Sequence, residues 1–389
     1  MARRLYACAF FEDFVLLYPV YALLFADAGL STAQISSLFV IWSLTGLALE
    51  VPSGVWADAF SRRLLLVASP LLTGAGFALW TWLPSYPAFA AGFVLWGLAT
   101  ALRSGTLQAL VYEELQRIGT ASCYARLIGR AQAIGVTAIM VANAAAAPVM
   151  GVGGYRALGS ASVATCVVCA AIAWTLPESR ERGRERGGEP DGGDDTEDVG
   201  DGSSMAAVWR DGWAHVRTAP GVRGGVVLLM VVMGCSAVDE YVPVLARSTG
   251  VAVAAVPLLV LVVSAGETAG GWLAGRDTAW LNPALAVAGV CLAVGALWGR
   301  PAGMVLVAVA FGVTQWAIVA AETRLQERIA DRSRATVMSL AGLGSEVMAV
   351  LAYAGYGLGS AWAGPGVLFA VAALPYLVVA VVRRVHPEM

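Results

Sequence analysis

Lysine is absent from this 389-residue chain, histidine occurs only twice, and charged residues make up just 13%. So little charge excludes an ordinary soluble domain, which carries about a quarter charged residues. The polar surface left over could not coat a globule in water. The two histidines, His215 and His386, lie far from any group of metal-binding or nucleophilic residues. Six cysteines (Cys8, Cys123, Cys166, Cys169, Cys235 and Cys291) are scattered, and the Cys166–Cys169 pair falls inside an apolar run, where it reads as two small packing residues. Neither a cofactor nor an enzymatic centre is therefore expected. A net charge of -2 offers no footprint for nucleic acid. The period-2 alternation of a membrane-barrel strand is missing as well.

What is abundant is apolar sequence: 58% of residues, gathered in runs of the length that spans a hydrocarbon core as helix, about 20 residues. Backbone polar groups in lipid must be satisfied internally, so these runs are expected to be helices. The pattern predicts an all-α membrane protein with twelve spans, at 5–26, 33–57, 64–83, 86–112, 124–148, 155–176, 224–246, 253–274, 280–298, 302–322, 335–358 and 364–382. The first run carries Glu12 and Asp13 and continues as a full span, unlike a cleaved leader. Twenty-one of the 25 basic residues fall at the termini or in the loops and helix ends on their side, against Arg156, Arg247 and Arg300 opposite and Arg103 within a span. The positive-inside rule then places both termini in the cytoplasm. An all-arginine basic set with 44 glycines suits a GC-rich bacterial genome, hence a bacterial cytoplasmic membrane and a monomer within it.

Residues 178–221 break the pattern with an Arg/Glu run and a Gly/Asp-rich stretch that cannot bury enough apolar surface to fold. Val208, Trp209, Gly212, Trp213 and Val216 recur beyond it at helical spacing, as in an interfacial amphipathic helix. This linker divides the spans six and six, into 1–177 and 222–389. The halves echo one another. Glu50 to Asp58 and Glu267 to Gly275 share Glu, Gly and Ala at one offset, each followed by a basic residue. Two similar halves imply two six-helix bundles with a site between them near the midplane.

The run from Gly54 to Leu66, with Asp58, Arg62 and Arg63, resembles the loop between helices two and three of the major facilitator superfamily. Gly, Asp and both basic positions are kept, whereas the usual Arg after Asp is Ala59 and the usual second Gly is Ser61. Pro177-Glu178-Ser179-Arg180 also resembles a run that often ends helix six in that family. The resemblance implies a secondary transporter working by alternating access. It implies further that Asp58 meets Arg334 at the end of helix eleven, and that Arg62 reaches Glu113 or Glu114, together locking the cytoplasmic side. In family members helices one, four, seven and ten line the cavity, which singles out Glu12 or Asp13, Arg103, and Asp239 or Glu240.

An ionisable group at bilayer depth costs roughly 3 kcal/mol even on lenient scales, so each needs a reason. Glu12 and Asp13 follow Arg4 by eight or nine residues, roughly 12 to 14 Å along a helix, in the inner half of the membrane. Such an acid can take a proton from one side and lose it to the other, while Arg103 serves as its counter-ion or as a clamp for an anionic substrate. Glu50 and Glu267, at matching repeat positions, suit structural pairing as well as they suit proton coupling. Tyr18, Tyr21 and Tyr241 each lie within two turns of an acid and join the candidate pathway; most other aromatics read as packing or interface residues. Two functions remain in the same architecture. One is proton-coupled export of small amphipathic compounds; the other is proton-coupled uptake of a small nutrient, an anionic one if Arg103 is its clamp. The partners expected are a small-molecule substrate, protons and the lipid bilayer.

Overall fold

The computed structural model describes residues 1–178, 220–274, 280–329 and 334–385, and all regular structure among them is helical. The amphipathic helix expected within 208–216 lies outside the described residues. Ten stretches are long and apolar enough to cross a membrane, and Leu281–Leu297 is a shorter apolar helix beside them. The longest stretch contains two crossings. Its helix Tyr124–Trp174 is interrupted at Gly154, whose φ of 58° and ψ of -158° turn the chain back. The protein therefore has the twelve spans that its apolar runs predict, arranged as two bundles of six.

Within the first bundle the helix Tyr124–Trp174 packs on spans 1 and 3, and span 4 packs on spans 2 and 3. In the second, Gly303–Arg328 (span 10) packs on Val256–Leu273 (span 8) and Leu281–Leu297 (span 9), and Arg334–Gly359 (span 11) packs on Pro220–Ser236 of span 7. The seam between bundles is formed chiefly by Thr32–Ala59 (span 2) against span 11, and by span 5 against span 8. Local chemistry sets several helix starts. Ser31 closes a capping box with Gln34 at the head of span 2, and Ser61 accepts from the Leu64 amide at 3.3 Å to begin Arg62–Trp82 (span 3).

Four spans drawn from the sequence as continuous are broken, the last of them span 12, which runs as Pro365–Ala372 and Leu374–Val385 with Ala373 between. Span 1 runs as Ala2–Asp13, opens at Phe14–Leu17, makes a 3₁₀ turn at Tyr18–Val20 and resumes as Tyr21–Asp27. Span 7 breaks in the same manner, with a 3₁₀ turn Ala237–Tyr241 between Pro220–Ser236 and Val242–Ser248. Pro19 and Pro243 stand at the first turns after these breaks, where a residue without an N–H leaves no donor to satisfy. Span 4 runs as Tyr86–Arg103 and restarts at Thr106, after Ser104 and Gly105. Hydropathy, which averages over a window, does not register such interruptions.

The backbone at Gly154 occupies a region open essentially to glycine alone, and a side chain there stores roughly 1–3 kcal/mol of strain. Gly154→Val should lower the melting temperature of the detergent-solubilised protein by roughly a few degrees, as a thermal-shift assay would read.

Candidate functional site

Two cavities open among the helix breaks. The larger, about 530 Å³, lies between the bundles. Trp42 and Gly46 of span 2, Gly97 and Ala101 of span 4, Asp239 and Glu240 of span 7, and Glu346 and Tyr353 of span 11 form much of its wall. Three carboxylates thus reach the cavity, all from the second bundle, and among the described lining residues there is no basic side chain. The 3₁₀ turn of span 7 fans its residues apart. Asp239 opens onto the cavity, Glu240 accepts a hydrogen bond from the Tyr21 hydroxyl of the opposite bundle, and Tyr241 meets Ser36 Oγ at 2.6 Å while stacking on Tyr356. Glu267 stands on span 8, outside the residues that line this cavity.

The smaller cavity, about 60 Å³, is enclosed wholly within the first bundle by residues including Glu12, Asp13, Tyr18, Ser69, Thr73 and Arg103. Arg103 Nη1 stands 2.6 Å from Glu12 Oε1. The Asp13 carboxylate rests against Gly135 of span 5: a Cβ at that glycine would lie 2.3 Å from Asp13 Oδ2. Tyr18 stacks on Trp96, ring centres 5.4 Å apart. This corrects the expectation that Glu12, Asp13, Tyr18 and Arg103 line the cavity between the halves. The reason lies in the periodicity of span 4. Gly97, Ala101 and Ser104 follow one another at intervals of four and three and face the central cavity, whereas Trp96 and Arg103 face the inner one and Thr100, between the two faces, lines both. Arg103 faces the inner cavity, where it pairs with Glu12.

Toward the end that carries the termini, Arg62 pairs with Glu113, as the family loop implies, while Glu114 lies 3.9 Å from Arg117 on its own helix. Arg63 stacks over Trp174 at 5.5 Å. Ser61 Oγ donates to Glu178, and the Arg63 amide donates to the same carboxylate at 3.4 Å. Expectations on the side chains of Glu50, Asp58 and Arg334, and on Gly54 between them, fall outside the side chains described.

At the opposite end the bundles are tied together by a group that sequence reading did not foresee. Asp27 accepts from Arg247 and, at 2.6 Å, from the Tyr155 hydroxyl. Its one trace in the sequence is that Arg247 is among the few arginines on that side; nothing local points from it to Asp27. The hydrogen bonds and ring contacts across the seam gather at this end, with Asn143 to Ser264 (3.3 Å) farther in.

A family model described as the Major Facilitator Superfamily matches residues 5–352, and the chain belongs to that superfamily. Its structure is similar to that of a variant of the nucleoside transporter NupG, with a TM-score of 0.78 at 11% identity over 99% of both chains. A bacterial homolog to the human lysosomal transporter Spinster, inward-facing and unoccupied, gives 0.71 at 16% identity over 99% of this chain and 94% of that one. A D-xylose–proton symporter gives 0.70 at 14%, over 98% and 95%. At these identities the likeness speaks for the fold alone. A search of curated proteins finds no match. The protein is thus a multi-pass membrane transporter of small solutes.

The Glu12 and Arg103 side chains are 21% and 41% exposed, so their pairing is partly screened, yet removing one member still leaves the other without its partner inside the bundle. Arg103→Leu alone should therefore lower thermal stability more than Glu12→Gln combined with Arg103→Leu. A double-mutant cycle of melting temperatures measures the difference; strictly additive values would show the pair to be uncoupled.

Proposed function

We propose that the protein exports small amphipathic organic cations in exchange for protons, by alternating access of the central cavity. The observation that carries this reading is the cavity wall, where Asp239, Glu240 and Glu346 stand beside Trp42 and Tyr353 with no basic residue among the described lining. Carboxylates set deep in protein gain more from a cation than they would in water, and aromatic faces add both apolar and cation–π attraction. A proton and an organic cation compete for the same oxygens, so binding one expels the other. That competition is the chemistry of exchange, and an inward proton gradient then drives the cation outward. The uptake of an anion is the weaker reading, because its only support was Arg103, which is held by Glu12 inside the first bundle.

The arginine bias supports placing both termini in the cytoplasm. With that orientation, the ties at the Asp27 end close the external side. The coupling acids are then Asp239, Glu240 and Glu346 rather than Glu12 or Asp13, which hold the first bundle together around Arg103. The Arg62–Glu113 pair, with Asp58 and Arg334, belongs to the cytoplasmic lock in this reading. The division at 178–221, the bacterial cytoplasmic membrane and the monomeric state complete it.

Everted vesicles energised with a proton gradient should accumulate tetraphenylphosphonium, and Asp239→Asn should lower that accumulation roughly tenfold, by loss of a charge-assisted contact. Movement of an organic anion under the same gradient, with tetraphenylphosphonium left behind, would overturn the cation reading.

A further inference from the structure

Four of the side-chain hydrogen bonds among the described residues join oxygen and nitrogen groups across the seam: Asp27 with Arg247, Tyr21 with Glu240, Ser36 with Tyr241, and Asn143 with Ser264. They differ in what surrounds them. Asp27 and Arg247 are each a third or more exposed, at 33% and 40%, so water screens their pairing. Ser36 and Tyr241 are buried against other side chains. Among these eight residues only Glu240 also lines the central cavity. Its donor, Tyr21, is 4% exposed and packed edge-on against Phe39, Phe93 and Trp96. Such a nest fixes the ring, and it supplies no second acceptor to the hydroxyl among the hydrogen bonds of the described residues.

We propose that the Tyr21–Glu240 hydrogen bond is the latch through which an occupant of the central cavity opens the end away from the termini, with Tyr21 as the positioning residue. The inference rests on the cation reading of the cavity. A hydroxyl bound to an ionised carboxylate holds about twice as strongly as one bound to a neutral partner. With Glu240 ionised it accepts from Tyr21 in full and the seam stays shut, the proton of the exchange then sitting on Asp239 or Glu346. A cation seated among Asp239, Glu240 and Glu346 neutralises the same oxygens, weakens the bond and lets the bundles part. The break in span 7 makes this possible. On a continuous helix, residues 240 and 241 would point about 100° apart with the chain rigid between them. The 3₁₀ turn instead hangs both on a short, adjustable segment that touches cavity and seam at once.

The latch predicts a division of labour that a general loss of seam contacts would not. Spin labels on Thr32→Cys and Ala252→Cys, at the far ends of spans 2 and 8, report the opening in full-length protein whose native cysteines are replaced. In otherwise unaltered protein, tetraphenylphosphonium should shift the distance distribution toward the longer, open population. Asp27→Asn should raise the open fraction without cation and leave the response to cation in place. Tyr21→Phe should raise the cation-free open-to-closed ratio roughly tenfold, reduce the further change on adding cation to less than twofold, and leave tetraphenylphosphonium binding intact. A Tyr21→Phe protein that matches the parent in both the resting distance and the cation response overturns the latch. If the parent fails to bind the cation, the substrate reading falls instead. The cation-free distances of Tyr21→Phe and Glu240→Gln then decide the tie: a longer distance in both sustains it, and an unchanged one removes it.

Discussion

Hydrocarbon offers no partner to a backbone N–H or C=O, and the architecture follows from that constraint. A helix can be opened inside the membrane only where the freed groups meet other protein or water. The breaks in spans 1, 4 and 7 obey this by opening onto a cavity, and that of span 12, at Ala373, is buried in protein. The break in span 1 leads into Tyr18 on the inner cavity, and the break in span 7 carries Asp239 and Glu240 on the central one. The break in span 4 begins at Ser104, also on the central cavity. Pro70, inside span 3, likewise removes a helical hydrogen bond and lines the inner cavity. The cavities and the irregular backbone beside them are the same feature seen from two sides. Each break in spans 1, 4 and 7 places a polar side chain where a continuous apolar helix would have turned it toward a neighbour.

The sequence made the outline readable because spans, halves and arginine bias depend on composition averaged over many residues. The twelve expected spans recur with ends shifted by a few residues, and Arg62 meets Glu113 as the loop between spans 2 and 3 implies. What it did not make readable depends on one turn of helix. Glu12, Asp13 and Arg103 stood out as charges needing a reason, and Glu12 and Arg103 do pair. The bundle surface they face was decided by a 100° step along span 4, and no charge count contains that information. Asp27, Arg247 and Tyr155 illustrate the other limit, since they come together from three separate connections at the far end.

Departures from a family pattern can also be read physically. Ser61 occupies the place where the related loop carries glycine, and here it caps span 3 and donates to Glu178. Glu178 in turn accepts from the amide of Arg63, whose guanidinium lies over Trp174. The substituted residue thus ties the start of span 3 to the end of span 6 through a carboxylate. That tie keeps the first bundle's terminal end a single unit in which Arg62 can hold Glu113.

Span 4 borders both chambers, with Thr100 on each and Arg103 paired to Glu12 on the inner side. It is an axle with a pin through it. Were the span to roll about its own axis to reshape the central chamber, it would have to pull a guanidinium away from its carboxylate. Tilting whole bundles or flexing at the 3₁₀ turn of span 7 would reshape the central chamber with that pair intact, whereas rolling span 4 would first break it.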